Sequence, residues 1–413
     1  MSSPNADPLG RRPSPPLDVD PDPIEQWLRW EEQANLPGFR ISMLPVDLAV
    51  AAIPAERLDV QLADAAPREL ERRFFRRGLV LYPKHPLNTD PSVAFFNEPA
   101  AEAWQARFTS SRTLVVVSAP GSALCSVKLP TDHPHHDFLQ PEKTKLREEA
   151  EDALRWTALF ERVDAAIGPD PALLLLREVI AAMVPGSESG FLVRDLSPLQ
   201  DGSYYLPALS LPWWGRQIAG LHGGRFEEFW GGCYAEAVGR AKAKLLTRYG
   251  LQYDTPNPQN LLIQLGRDLR PTGVIALRDL GDLNPVAPLG GPAAAPWTRL
   301  HGELKPETQN SFWAFDSADE QRVPAETLAG WYERHDLAYQ AELRDFFLPG
   351  GAGLDAAVPC GFEAWTAFLR SEPGAAAIRL AFERKARAWQ LRLTQAGDGP
   401  ASEAPASEAR SEP

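Results

Sequence analysis

Residues 249–284 constrain the fold of this chain more than any other stretch. Two apolar runs, Leu261 to Leu265 and Val274 to Leu277, flank a turn bounded by Gly266 and Gly273. That is the pattern of a β-hairpin. Gln259 and Asn260 enter the first strand, and Arg278, Asp279 and Asp282 leave the second. In an antiparallel pair the start of one strand lies beside the end of the other. Amides and carboxylates then converge at one end of the hairpin. Such a set suits a divalent cation carrying phosphates. The same spacing serves equally well for a surface hairpin with polar ends.

A second hairpin signal lies upstream. Ser110-Ser-Arg112-Thr113 opens a strand over 114–118, Ala119-Pro-Gly-Ser122 supplies a turn, and a strand over 124–129 ends beside Lys128. In an extended segment Ser110 and Arg112 project to one face. Arginine offers a planar fork for phosphate or carboxylate, and Lys128 adds a point charge from the neighbouring strand. The plain alternative is a solvated strand entry with a snorkelling lysine.

Residues 131–145 hold His133, His135, His136 and Asp137. These are metal-ligand types. They lie in one short irregular stretch, however, whereas a closed metal site needs ligands on rigid elements. A substrate-facing loop fits better, with His133 in it and Lys143 and Lys145 offering positive charge to a carboxylate. There is no GxxxxGK[ST], GxGxxG or GxSxG motif. Asp254 and Glu227 read as surface or capping groups.

Elsewhere the spacing predicts helices over 24–33, 67–76, 142–166, 172–183, 226–249, 318–346 and 362–393. Strands are expected at 78–82 and 190–195, and Pro212–Trp214 in a loop. Hairpins separated by helices indicate α+β rather than regular βαβ alternation. The expected organisation is a disordered segment over 1–23, a reduced N-terminal subdomain over 24–100 and an α/β core over 101–290. A helical subdomain over 291–395 and a disordered tail over 396–413 follow.

The chain carries 42 Lys and Arg against 55 Asp and Glu, a formal charge of −13. That balance argues against non-specific nucleic-acid binding. It leaves a locally basic cleft open. Three isolated cysteines fit a reducing compartment and read as buried structural thiols. No run approaches the ~18 apolar residues of a membrane span, and residues 1–23 lack the apolar core of a secretory signal. A soluble, cytoplasmic protein is expected.

Taken together, Ser110-Ser-Arg112-Thr113, Lys128-Leu-Pro, Asn257-Pro-Gln259-Asn260 and Arg278-Asp279 resemble, in order, the motifs of the IucA/IucC family. These are siderophore synthetases that work independently of non-ribosomal peptide synthetases. Gly190-Phe-Leu-Val-Arg-Asp195 is similar to the family's Leu-Arg-Glu segment. The resemblance covers residues 100–290 well and the C-terminal part loosely. It implies antiparallel hairpins forming an ATP cleft, a kinase-like palm, packed against a helical C-terminal subdomain. By the same resemblance Ser110, Arg112, Thr113 and Lys128 hold phosphates, and Asn257 completes the nucleotide site. Gln259, Asn260 and Asp279 position ATP and Mg2+, with Asn260 and Asp279 on the metal. Lys128, Arg112 and Asp279 are the candidate catalytic residues, and His133, Lys143 and Arg278 the candidate substrate contacts.

The implied reaction activates a carboxylate, often citrate, as an acyl-adenylate that an amine or alcohol then displaces. Such chemistry needs alignment and cations more than covalent help from the protein. Small-molecule substrates are the expected partners, with no nucleic acid and no membrane, for a chain acting alone or as a homodimer. Two departures stand out. The family's histidine before Gln-Asn is Asn257, which cannot titrate near neutral pH. Of the family's His-Pro-x-His-Pro stretch only Lys84-His85-Pro86 is present before Ser110. Two other functions remain open. One is a small-molecule kinase, with Asn260 and Asp279 on the metal and Asp254 as base. The other is a non-catalytic nucleotide- or ligand-binding protein.

Overall fold

The computed structural model describes residues 17–39, 41, 45–64, 66–117, 123–132, 147–253, 257–285, 311–312, 315 and 323–347. Helix α1 (Pro23–Phe39) precedes β1 (Val46–Pro54), β2 (Asp59–Leu62), α2 (Arg68–Phe74), β3 (Phe75–Arg76) and β4 (Leu79–Pro83). Next come β5 (Ala100–Phe108), β6 (Thr113–Val116), β7 (Cys125–Lys128) and α3 (Arg147–Ile167). Strands β8 (Leu173–Leu175), β9 (Glu178–Met183), β10 (Gly190–Asp195) and β11 (Tyr204–Pro207) follow. Helices α4 (Leu211–Leu221), α5 (Phe226–Trp230) and α6 (Glu236–Lys244) lead to β12 (Leu251–Tyr253), β13 (Leu261–Leu265), β14 (Pro271–Leu277) and β15 (Leu283–Pro285). Helix α7 (Ala325–Phe347) closes the described chain.

Nine strands form an antiparallel sheet in the order β2-β9-β10-β7-β6-β5-β1-β4-β3. The sheet takes strands from both sides of residue 100, because β5 pairs with β1 as well as β6. It curls, so that its two edge strands, β2 and β3, line a common cavity. A second sheet runs β11-β13-β14-β8, with β8 parallel to β14. A two-stranded ribbon joins β12 to β15.

Among the described residues, three apolar clusters hold the elements together. One fills the curled sheet, bringing Leu70 and Phe74 of α2 and Ala150 and Leu154 of α3 against β-strand residues such as Phe191 and Val193. A second lies between the four-stranded sheet and the helices, with Trp156 and Phe160 of α3, Tyr234, Val238 and Trp331. The third joins the two sheets through Trp27, Val115, Tyr205, Leu262 and Ala276. Helix α3 therefore serves two cores, its earlier turns facing one and its later turns the other.

The hairpin β13–β14 sits between the second and third clusters. Leu261, Ile263, Ile275 and Leu277 face one cluster, and Leu262 and Ala276 the other. Burial on both faces explains why its strands read as apolar runs rather than alternating ones. It also removes the surface-hairpin reading. The hairpin β6–β7 pairs Thr113 with Lys128, which puts its polar ends side by side.

Several local expectations are corrected. Residues 172–183 are not a helix but β8 and β9. They are rich in the helix formers Leu, Ala and Met, yet Glu178–Met183 is buried throughout between β2 and β10, and packing overrides propensity. Pro212–Trp214 belong to α4, with the proline in its first turn, where a missing N–H costs nothing. Strands β5 and β11 were not expected. The helical stretch 226–249 is continuous but contains two π-turns, Gly231–Ala235 and Leu245–Tyr249. The expected helix over 362–393 lies outside the described residues. So do the strand ends and turn over 118–122 and the tail over 396–413.

Helix α7 lies along α6. A side chain at Gly239 would overlap the His335 carbonyl, so glycine there allows the close approach. Burial, with Lys242 nearby, lowers the His335 pKa to about 4. Among the described residues no helix is long and apolar enough to cross a membrane.

Candidate functional site

Nine of the candidate site residues line one cavity of about 260 Å³: Ser110, Arg112, Thr113, Lys128, Asn257, Gln259, Asn260, Arg278 and Asp279. Thr109, Ser111, Arg194 and Asp282 line it too. Five separate stretches of chain therefore meet there.

The first is the bend between β5 and β6. The expectation of an extended Ser110–Arg112 segment is corrected: these residues turn sharply. The Thr109 and Ser110 amides donate to the Thr113 carbonyl at 2.9 and 3.3 Å. The Thr113 amide donates to the Ser110 hydroxyl at 3.2 Å, and the Leu129 amide to the Arg112 carbonyl at 2.9 Å. Buried His85 props the bend from behind. Its Nε2 lies 2.8 Å from the Ser111 carbonyl, while its Nδ1 accepts from the Leu87 amide at 3.2 Å. A carbonyl cannot donate and an amide cannot accept, so the ring is the neutral tautomer protonated on Nε2.

Lys128 ends β7, flanked by Thr113 on β6 and Leu192 on β10. Its ammonium reaches across the cleft to both oxygens of Asp279, at 3.1 and 3.3 Å. The two side chains are only 12% and 17% exposed. Arg194 on β10 lies 3.4 Å from the same carboxylate and 2.6 Å from Glu178, buried on β9. Burial works to lower the Arg194 pKa, but Glu178 and Asp279 outweigh it and hold the pKa above its usual value. The result is a charge chain, Lys128–Asp279–Arg194–Glu178, spanning the floor of the cleft.

Asp279 itself sits at φ 67°, ψ 54°, a left-handed conformation that Asp tolerates better than most residues. It opens the short turn Leu280–Asp282. The Tyr253 hydroxyl donates to the Arg278 carbonyl and lies 3.3 Å from that of Asp279. Burial first, then the nearby Asp282, Asp279 and Glu178, raise the Tyr253 pKa well above its ordinary value and keep it a neutral donor. From the far side, the indole of Trp156 on α3 donates to the Leu283 carbonyl at 3.0 Å. Hydrogen bonds on two sides thus pin the segment that carries Asp279.

The opposite wall is the 3-10 turn Pro258–Asn260. Asn257 caps it: its side-chain oxygen accepts from the Gln259 amide at 2.9 Å. The Asn260 amide donates to the Asn257 carbonyl at 2.8 Å, and the Asn260 carbonyl accepts from the Arg278 amide at 3.1 Å. The turn is thus tied to both ends of the hairpin.

Arg278, an expected substrate contact, lines the cavity with its guanidinium engaged by protein partners. Its guanidinium makes a two-pronged pair with Glu31 of α1, at 2.6 and 3.0 Å, and its Nε donates to the Gln259 carbonyl at 3.0 Å. It fastens α1 to the amide-bearing turn. Glu31, Glu178, Arg194 and His85 were not picked out from the sequence as site residues. Their partners lie far along the chain, 247 residues away for Glu31 and 26 for His85. The available signals were Arg194 within the Gly190–Asp195 strand and His85 within Lys84-His85-Pro86.

His133 and Lys143 lie outside the described residues, as does the 131–145 stretch beyond Asp132. Among the described residues no group of three or more His, Cys, Asp or Glu side chains could hold a metal ion. Cys125 is buried, and burial raises its thiol pKa to about 11; Cys233 is only half-buried, against expectation.

No protein-family model and no curated protein matches the chain. Solved structures do. The aerobactin synthetase IucA from a hypervirulent Klebsiella pneumoniae is 16% identical with a TM-score of 0.44, over 83% of this chain and 63% of that one. The synthetase IucC of the same source is 14% identical with a TM-score of 0.45, over 82% and 65%. The petrobactin biosynthesis protein AsbB from Bacillus anthracis is 15% identical with a TM-score of 0.42, over 87% and 67%. The chain thus spans less than two-thirds of the length of IucA and IucC. The likeness to IucA, IucC and AsbB is one of fold.

Proposed function

We propose that the cleft binds ATP and activates a carboxylate for condensation with an amine or alcohol. One observation carries this reading. Hydroxyls, an arginine and a lysine from one hairpin face amides and a carboxylate from another, across a single cavity, with Lys128 and Asp279 in contact 151 positions apart. In this reading the Ser110–Thr113 bend, Lys128 and Arg194 receive phosphates, because cations and hydroxyls on rigid strands suit a polyanion. Asn257, Gln259 and Asn260 orient the nucleotide. Arg278 acts indirectly, by holding Gln259.

The donor set fits a magnesium ion. Magnesium takes oxygen ligands, usually one or two carboxylates with the remainder from phosphate and water; Asp279 would supply the carboxylate and Asn260 an amide oxygen, both lining the cleft. When bound it would offset phosphate charge. Lys128 would leave Asp279 for a phosphate as the nucleotide enters, so neither charge is left unmatched.

In the first step a carboxylate oxygen of the substrate attacks the α-phosphorus, whose bond to the bridging oxygen breaks, and pyrophosphate departs. In the second the amine or alcohol attacks the acyl carbon, the bond to AMP breaks, and a proton leaves the nucleophile. A citrate-like polycarboxylate is the substrate class this reading favours, with a siderophore-type product.

The test is incubation with ATP, magnesium and a panel of carboxylates and amines, followed by mass measurement of products. AMP with pyrophosphate, dependent on a polycarboxylate, is the expected result. ADP would replace this reading with a phosphotransferase. Bound ATP with neither product would replace it with a non-catalytic binding protein.

A further inference from the structure

We infer that the cavity between the two edges of the nine-stranded sheet is a binding site for an anionic amphiphile, an apolar chain bearing a carboxylate or phosphate head. This cavity measures about 560 Å³ and shares no lining residue with the cleft. Its size falls within the roughly 300–1,000 Å³ of small-molecule sites.

The floor is apolar. Val60 and Leu62 project from edge strand β2, two residues apart and so on one face. Phe75 and Leu79 face them from the β3–β4 side. All four are only partly buried. A sheet that curls until its edges meet would pair β2 with β3 and leave no gap. Here the edges stay apart, α2 borders the opening, and the apolar surface remains.

The rim is basic. Arg68 and Arg72 lie one helical turn apart on α2, with Arg76 and Arg77 on the hairpin beyond. One carboxylate, Glu71, lines the cavity with them. Arg76 is matched by Glu102 at 2.7 Å, but Arg68, Arg72 and Arg77 have no carboxylate partner among the described residues. Guanidinium groups around an apolar pocket match a ligand with an anionic head and an apolar body.

Arg77 supplies an independent observation. It occupies the first position of the two-residue turn joining β3 to β4, at φ 52°, followed by Gly78 at φ 78°. Such turns favour Asn, Asp or Gly at that position, because both central residues are left-handed. Arginine contributes nothing to the turn that asparagine or glycine would not, yet its side chain lines the cavity. Strained residues of this kind cluster at ligand sites.

The test is calorimetric titration of the full chain with sodium decanoate and with decyl phosphate, each below its micelle-forming concentration, and with decyltrimethylammonium as the cationic control. Saturable binding of either anion, and none of the cation, is the expected result. The anion that binds more tightly identifies the head group. Arg77→Gly removes the guanidinium while relieving the turn, so its thermal midpoint should be no lower than wild type. Its affinity should fall about tenfold, the scale of one charge-assisted hydrogen bond. Arg68→Ala should weaken binding in the same direction. Absence of saturable binding by both anions, equal binding of the cation, or unchanged affinity in both variants would overturn the proposal.

Discussion

On one wall of the cleft, Lys128 and Arg194 project from the middle of a nine-stranded sheet, and their charges are already met by Asp279 and Glu178. On the other wall, Asn257 caps a three-residue turn carrying Gln259 and Asn260, and the backbone amide and guanidinium of Arg278 hold that turn from the hairpin side. The first wall carries its charge on strands of the large sheet; the second presents the neutral amides of a short turn beside Asp279. The difference has a physical origin. Buried charge is tolerated only when paired, so it belongs on strands whose neighbours can fix a partner. Amides carry no such demand and can be carried by a short turn.

The largest effect should come from breaking the charged wall at its most buried member. Glu178→Gln leaves Arg194 in place without its nearest counter-ion. Removing one partner of a buried pair typically costs about 3–5 kcal/mol, and urea unfolding should show a loss of that order. A loss below about 1 kcal/mol, the scale of an exposed ion pair, would mean that Asp279 alone suffices for Arg194.

The bridge between the walls comes next. Lys128→Ala and Asp279→Asn should each lower nucleotide turnover by at least about 10²–10³, the scale for losing one pre-placed electrostatic group. Asn tolerates the left-handed backbone at 279, and Arg194 keeps Glu178, so both variants should unfold cooperatively within a few degrees of wild type. Wild-type-like turnover in either would overturn the site assignment.

Turnover and stability should separate differently at the bend. His85→Ala removes the ring that meets the Ser111 carbonyl. It leaves that buried acceptor without the ring, at a cost of about 1–3 kcal/mol. Because the bend carries Ser110, Arg112 and Thr113, KM for ATP should rise as well. His85→Gln, able to donate to the same carbonyl, should recover part of both.

The two walls also differed in how far they could be read from sequence. The polar ends of the hairpin and the Lys128 strand end were legible because each is set by a few neighbouring residues: an apolar run of strand length, a glycine-bounded turn, polar groups at the margins. Glu178 was hidden because residues 172–183 are locally helix-forming. Only pairing of β9 with β2 and β10 makes a strand of them. Arg194 lay in a correctly expected strand, yet its place in the site depends on β10 lying beside β7. His85 and Glu31 act through partners whose proximity no local pattern encodes. Asn257 departs from the resembled motif in sequence, but its capping role depends on the turn that follows it.

That last residue sharpens the comparison at the neutral wall. Asn is among the strongest helix-capping residues, and substituting a non-capping side chain costs about 0.5–2 kcal/mol. Asn257→His would restore the residue found in the related motif and at the same time remove the cap on Gln259. Stability should therefore fall by about 1 kcal/mol in chemical denaturation, the smallest change in the series. The informative readout is the pH profile of ATP turnover between 5.5 and 8, where histidine titrates and asparagine does not. If the side chain at 257 meets the reacting carboxylate, the variant acquires a pH-dependent step with a midpoint near 6.5, the ordinary histidine value, which wild type lacks. If it serves only as a cap, turnover falls uniformly across the range with the loosened turn. A flat profile at wild-type activity would separate position 257 from the chemistry altogether and leave the charged wall, with Asp279, as the seat of catalysis.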